Sequence, residues 1–414
     1  MSAGPGAAAA PPVGLDDVRA AARLLEGVVR TTPLEPSAAL SELVGGPVLL
    51  KCENLQHAGS FKIRGAYTRM CRLSAEERER GVVAASAGNH AQGVALAARL
   101  LGIRSTVWMP AGAALPKVEA TRRYGATVHQ AGSTVDEALV HAAAHSRATG
   151  AVLIHPFDHR DVVAGQGTVG LELVEQAAAA GHDLRTVVVC TGGGGLVAGV
   201  AAALSALAPG VRVVGAQAEG AAAYPASLAA GAPVTLDRMA TMADGIAIGR
   251  PGDVPFGLVR DLVDEVVTVS EESLSRALLL LLERSKLLVE PAGAAAAAAL
   301  LEHPGAFEPP VAVVLSGGNV DPLLLLRVVR HGLAAAGRYL GCRVQVPDRP
   351  GALSGVLALL AEADANVLEV FHTRTTTTLA VDEVEIGLQL ETRGHEHAAA
   401  VLEALAGAGV RVVG

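Results

Sequence analysis

The sequence predicts an α/β fold followed by a second, smaller α+β unit. Three observations predict it. Short β-rich runs alternate with helix-period stretches from residue 47 onward. Several of those runs lead directly into glycine-rich turns that open a helix. Near Arg338 the pattern restarts as strand, helix, two strands, helix, strand.

Taken in order, residues 1–13 hold only small apolar residues, Gly and Pro after Met1 and Ser2, without charge, and read as a disordered tail. They lack the basic segment of a signal peptide. Residues 14–45 read as helical, with a turn at 31–37. Strand-like runs then follow at 47–52, 82–86, 105–110, 126–132, 151–156, 186–190, 211–217 and 311–315. Helical stretches at 91–102, 117–124, 134–149, 162–180 and 196–207 separate most of them. Short connections of this kind make βαβ units and a largely parallel sheet covered by helices. This body spans 14–335. The second unit, 338–414, begins with a strand at 342–347 and a helix running to about Ala363. Strands at 366–374 and 380–392, joined by a charged, Thr-rich turn, a helix at 395–405 and a strand at 410–413 complete a ferredoxin-like βαββαβ order.

A chain of 414 residues suits two or three folded units. Hydrophobic residues make up 51% but aromatics only 2%, so the core is built from Ala, Val and Leu. The net charge of −8 argues against nucleic acid as a partner. An uncharged run at 186–211 has the length of a membrane span, but Gly192 to Gly195 break it near its start. No membrane partner is expected. Cys52, Cys71, Cys190 and Cys342 form no CxxC pair, which fits free thiols in a reducing cytoplasm. No zinc spacing occurs among the histidines, and no metal is expected.

Four constellations carry chemistry. In Gly59-Ser60-Phe61-Lys62 a lysine sits among apolar neighbours. Burial there lowers an amine's pKa and makes it a nucleophile able to form a Schiff base. The same residues also suit an ordinary lysine beside Arg64, and the motif alone does not decide. Ser86-Ala87-Gly88-Asn89-His90 lies between a strand and a helix, where backbone N–H groups bind a carboxylate. A plain N-cap is the simpler alternative. Gly192-Gly193-Gly194-Gly195-Leu196 lets the backbone wrap a phosphate at a helix start, without the Lys of a P-loop. Its spacing to Ala198 formally satisfies a dinucleotide fingerprint, but no acid lies about 20 residues on. Ser316-Gly317-Gly318-Asn319 follows the strand 311–315, a place from which a hydroxyl points into the crevice such sheets use for ligands, and a helix N-cap explains the same residues equally well.

Together these stretches resemble the fold-type II pyridoxal-phosphate enzymes, and within them the threonine dehydratases. KCENLQHAGSFKIRGA, ASAGNHAQGVA, HPFDHRDVVAGQGTVGLEL, CTGGGGLVAG, LLVEPAGA and VVLSGGNVD match that group in order over roughly 14–335. The stretch DRPGALSGVLALLAEADANVLEVFHTR resembles an ACT domain, a small-molecule sensing module.

The resemblance implies two parallel-sheet subdomains, pyridoxal 5'-phosphate as cofactor, and deamination of L-threonine to 2-oxobutyrate and ammonia, with L-serine as a second substrate. It implies that Lys62 forms the Schiff base and that Phe61 packs beside the cofactor ring. Asn89 then bonds the ring's phenolic oxygen, Gly192, Gly193, Gly194, Gly195 and Leu196 hold the phosphate, and Ser316 faces the pyridine nitrogen. Ser86, Ala87, Gly88 and His90 hold the substrate carboxylate. Asp348, Arg349, Pro350, Gly351, Ala352 and Leu353 match the loop where ACT domains bind an effector amino acid. A homodimer or homotetramer is implied as well. The rival readings are another member such as serine racemase, a β-replacement synthase, a nicotinamide-dependent dehydrogenase and a non-catalytic sensor. Racemases carry a second Ser at the position of Ala87. Gln217 and Ala223 stand where they place cation ligands, with Glu219 nearby.

Overall fold

The computed structural model describes residues 13–374 and 379–413. The expected tail therefore lies outside the described residues except for Val13, which is buried. The Thr-rich turn of the second unit lies mostly outside them too.

The chain separates into two compact units, 1–321 and 322–414. The first contains two sheets. The larger runs β1-β2-β10-β7-β8-β9, from strands β1 (Leu34–Pro36), β2 (Val48–Lys51), β7 (Thr186–Cys190), β8 (Arg212–Ala218), β9 (Glu265–Val269) and β10 (Val311–Val314). Only the β1–β2 pair is antiparallel. The smaller sheet, β5-β4-β3-β6, is wholly parallel and uses β3 (Val82–Ala85), β4 (Ser105–Met109), β5 (Thr127–Gln130) and β6 (Val152–Leu153). The two parallel-sheet subdomains implied by the resemblance are thus present.

Strands β2, β3, β7 and β10 are buried along their whole length, and their predominantly Val, Leu and Ala content suits sheets covered on both faces. The Ala-rich helix Pro291–Glu302 is buried from Pro291 through Leu300. Its small side chains let it lie close against the strands in a chain with few aromatics.

Two strands escaped the sequence reading. β1 occupies the stretch read as a turn. It is three residues long, ends in Pro36, and sits at a sheet edge, where a missing N–H is tolerated. β9, at the other edge, is flanked by Asp261, Asp264 and Glu271 and is only partly buried, so its alternation is faint.

The second unit starts earlier than 338: the helix Pro322–Ala335, grouped above with the first body, belongs to it. The order βαββαβ is otherwise as expected. β11 (Tyr339–Pro347), β12 (Asn366–Thr373), β13 (Glu383–Glu391) and β14 (Arg411–Val412) form an antiparallel sheet in the order β12-β13-β11-β14. Val344, Ile386, Leu388, Leu390, Val356, Leu360 and Val401 fill its core.

Candidate active site

Every expected catalytic-unit site residue lines one cleft at the C-terminal ends of β2, β3, β7 and β10.

Lys62 is the first residue of the helix Lys62–Cys71. The preceding turn is bridged to the β10 loop: Phe61 N donates to Ser316 O at 3.2 Å and Gly318 N to Gly59 O at 2.9 Å. Lys62 and Ser316 are therefore held in one frame. Burial lowers the Lys62 amine to about 8, with the Cys190 and Glu290 side chains opposing the shift. Nζ lies 5.0 Å from the centroid of the Phe61 ring and donates to Pro156 O at 3.1 Å.

Behind Lys62 lies a buried ion network. Arg64 pairs with Glu53 at 2.8 Å and Glu172 at 2.6 Å, and Lys51 with Glu172 at 2.5 Å. Burial pushes the Glu53 carboxyl up, but Arg64 and Lys51 more than offset this and hold it below the usual carboxylate range. Two cations and two anions balance, and they clamp the first turn of the Lys62 helix.

The loop after β3 presents Ser86, Ala87, Gly88, Asn89 and His90 to the cleft. Gly88 N donates to Ser86 Oγ at 3.0 Å, closing the turn. Among the described residues no group accepts from the amides of Ala87, Asn89 or His90, so they remain available to an anion. The His90 ring faces away from that task. Its Nε2 bonds Ile154 O at 2.8 Å, and burial first, then Lys62, drives its pKa to about 3. His90 can therefore serve an anion through its backbone, as a neutral ring.

The glycine turn behaves in the same way. The amides of Gly192, Gly193, Gly194, Gly195 and Leu196 have no acceptor among the described residues, at the start of the helix Gly195–Leu207. Five free N–H groups at a helix N-terminus suit a phosphate. Gly194 has φ +96°, and a Cβ there would collide with the Tyr224 hydroxyl, which donates to Gly193 O at 3.3 Å. Opposite, Cys190 Sγ donates to Ser316 Oγ at 3.1 Å, and burial keeps the thiol protonated, raised to about 11. The Ser316 hydrogen is then free for a ring nitrogen. An amine, an amide, a hydroxyl and an unpaired anion cradle in one cleft match the donors that pyridoxal phosphate requires.

Three residues without an assigned role also line the cleft: Lys117, Asp244 and Glu290. Lys117 pairs with Asp244 at 2.6 Å. Glu290 Oε1 accepts from Asn89 Nδ2. Glu290 had a signal: a lone acid inside the apolar stretch LLVEPAGAAAAAAL is a buried charge. Gln217 is buried and its Oε1 accepts from Tyr224 N at 2.9 Å. The expected effector loop belongs to the second unit. Asp348, Arg349, Pro350 and Gly351 are exposed, Arg374 pairs with Asp348 at 3.1 Å, and Gly351 caps the helix Ala352–Glu362 at φ +88°. A depression in that unit is lined by β11, β12 and β13 residues, among them Arg343, Phe371 and Glu385.

Comparison with known proteins agrees with this geometry. Residues 25–317 match the family model "Pyridoxal-phosphate dependent enzyme", and 342–410 match "ACT domain". An L-threonine ammonia-lyase of Thermotoga maritima is 46% identical over 404 residues, 97% of this chain and 100% of that protein. The catabolic L-threonine dehydratase TdcB of Escherichia coli K12 is 40% identical over 315 residues, 75% of this chain and 94% of that protein. Among solved structures, a threonine deaminase from T.th. has a TM-score of 0.71 at 43% identity, covering 74% of this chain and 99% of that one. A maize serine racemase has a TM-score of 0.72 at 36% identity, covering 78% and 99%. On the site and on these likenesses, the chain belongs to the pyridoxal-phosphate-dependent enzyme family and carries an ACT domain.

Proposed function

We propose that the protein is an L-threonine ammonia-lyase, forming 2-oxobutyrate and ammonia from L-threonine and, more slowly, pyruvate from L-serine. The observation that carries this reading is the convergence of Lys62, the Ser86–His90 turn, the free glycine amides and Ser316 on one cleft. The near full-length likeness to an L-threonine ammonia-lyase supports the substrate.

Bound pyridoxal phosphate supplies an electron sink for the substrate Cα and lets the β-hydroxyl leave. The chain supplies the rest. Lys62 Nζ would hold the cofactor covalently. As a neutral amine, a state its lowered pKa makes accessible near neutral pH, it would take the Cα proton. The amides of Ala87, Asn89 and His90, with the Ser86 hydroxyl, orient the substrate carboxylate. Gly192, Gly193, Gly194, Gly195 and Leu196 hold the phosphate by backbone N–H. Phe61 packs beside the ring. Asn89, its own carbonyl fixed by Asn319 at 2.8 Å, would donate to the phenolic oxygen. Ser316, oriented by Cys190, would donate to the ring nitrogen without protonating it.

Ala87 carries no proton donor, so inversion at Cα has no second acid, which sets the lyase reading above a serine racemase. Threonine is preferred over serine by one methyl contact, about 1–3 kcal/mol. The second unit senses an amino-acid effector through Asp348, Arg349, Pro350, Gly351, Ala352 and Leu353, in a homodimer or homotetramer. A cytoplasmic site suits the four free cysteines, and no helix among the described residues is long and apolar enough to cross a membrane.

The test is product analysis with the purified protein and its cofactor. 2-oxobutyrate and ammonia released in equal amounts from L-threonine support the proposal. D-serine from L-serine, without keto acid, contradicts it.

A further inference from the structure

The reaction derived above leaves Glu290 without a part. This residue is 1% exposed, and its backbone is pinned by Glu290 N donating to Gly317 O at 3.0 Å and Ala294 N donating to Glu290 O at 3.0 Å. Its Oε1 accepts from Asn89 Nδ2, while Oε2 is buried in the cleft without a partner among the described residues. Asn319 Nδ2 already occupies Asn89 Oδ1, so the Asn89 amide can present only its NH2 group toward Glu290 and the cleft.

The charged and titratable groups facing Glu290 come from four elements. They are Lys62, Lys117 on the helix Leu115–Arg123, Asp244 on the turn Asp244–Ile246, and the Cys190 thiol at the end of β7. Lys117 is committed to Asp244 at 2.6 Å, so Glu290 has no cation of its own. Burial raises its carboxyl to about 7; Asp244 adds to the rise, and Lys117, Asn89 and Lys62 oppose it.

We propose that Glu290 is a positioning residue that enters the cofactor-bound site as the neutral acid, holding Asn89 through Oε1 and offering the proton on Oε2 to the cleft. This deepens the cofactor-site reading and rests on it. The cofactor brings a phosphate and an electron-rich ring oxygen into a dry pocket. A second buried anion beside them is disfavoured, whereas a carboxylic acid keeps the Asn89 bond and gains a donor for its orphan oxygen. Cofactor binding therefore takes one proton from solvent onto each Glu290 that was ionised.

The full chain, stripped of cofactor, is titrated calorimetrically with pyridoxal phosphate at pH 7 in two buffers of different ionisation enthalpy. The difference counts the protons taken up. With its free-site pKa near the working pH, Glu290 contributes about half a proton. Glu290→Gln keeps the shape, binds the cofactor and loses that half proton. Lys117→Met removes a cation that holds the Glu290 pKa down, so Glu290 is already protonated and uptake again falls. Lys117 itself is held above its usual range and does not titrate at pH 7. Equal uptake in the wild type and Glu290→Gln overturns the proposal while leaving the cofactor site intact. Should Glu290→Gln fail to fold, Lys117→Met decides, and unchanged uptake there overturns the proposal. No binding by the wild type overturns the cofactor site and the proposal together.

Discussion

Burial gives Lys62 its chemistry, and the ion network behind it gives it its place. The amine titrates near 8 because it is desolvated. Attachment of added cofactor to the stripped protein therefore speeds up as pH rises toward about 8 and levels off above it; stopped-flow absorbance checks this. The same shift has a stability consequence. The folded pKa of Lys62 lies below its unfolded value of 10.5, so between about 8 and 10.5 the unfolded chain binds more protons. The Lys62 contribution to stability thus rises with pH across that window. Arg64, fully buried between Glu53 and Glu172, makes a sharper prediction. Arg64→Met leaves two carboxylates facing Lys51 alone and costs about 3–5 kcal/mol. Thermal unfolding should show a lower midpoint, and the loosened Lys62 helix should lower kcat as well.

At the scale of elements, the site is a set of turns at strand ends. The Asn89, glycine and Ser316 motifs follow directly after buried parallel strands, which is why they stood out in sequence as candidates, whereas Lys62 lies well past the end of β2 and stood out by its apolar neighbours. Local pattern and local chemistry coincide there. What stayed hidden acts across elements. Lys117, Asp244 and Glu290 reach the cleft from segments with no glycine-rich turn, and their pairing depends on tertiary packing alone. The edge strands β1 and β9 were hidden for another reason: one is three residues with a proline, and the other is half-exposed and bordered by acids. Gly194 tests the element-level account. With φ +96° and the Tyr224 hydroxyl in the place of a Cβ, Gly194→Ala must shift the turn. The expected result is cofactor affinity reduced by about tenfold or more, equivalent to at least about 1.4 kcal/mol, measured by fluorescence titration.

At the scale of the molecule, the proposed function gives the two units separable tasks. The relatives named TdcB align with about three quarters of this chain, consistent with a catalytic unit that stands alone. Removal of residues 322–414 is expected to leave threonine turnover within a few-fold of the intact chain and to abolish any response to isoleucine or valine, as steady-state kinetics would show. The boundary at 321 was not legible because the helix Pro322–Ala335 continues the helix-period pattern, and sequence does not reveal which core a helix joins.

The most direct test of the whole account is the rate of 2-oxobutyrate release from L-threonine by the wild-type protein and by Lys62→Ala, both loaded with pyridoxal phosphate. The account predicts steady turnover in the wild type and a loss of at least about 10³-fold in the variant, since Lys62 serves as both anchor and base. Equal turnover in the two proteins, or none in a wild type carrying bound cofactor, would contradict it.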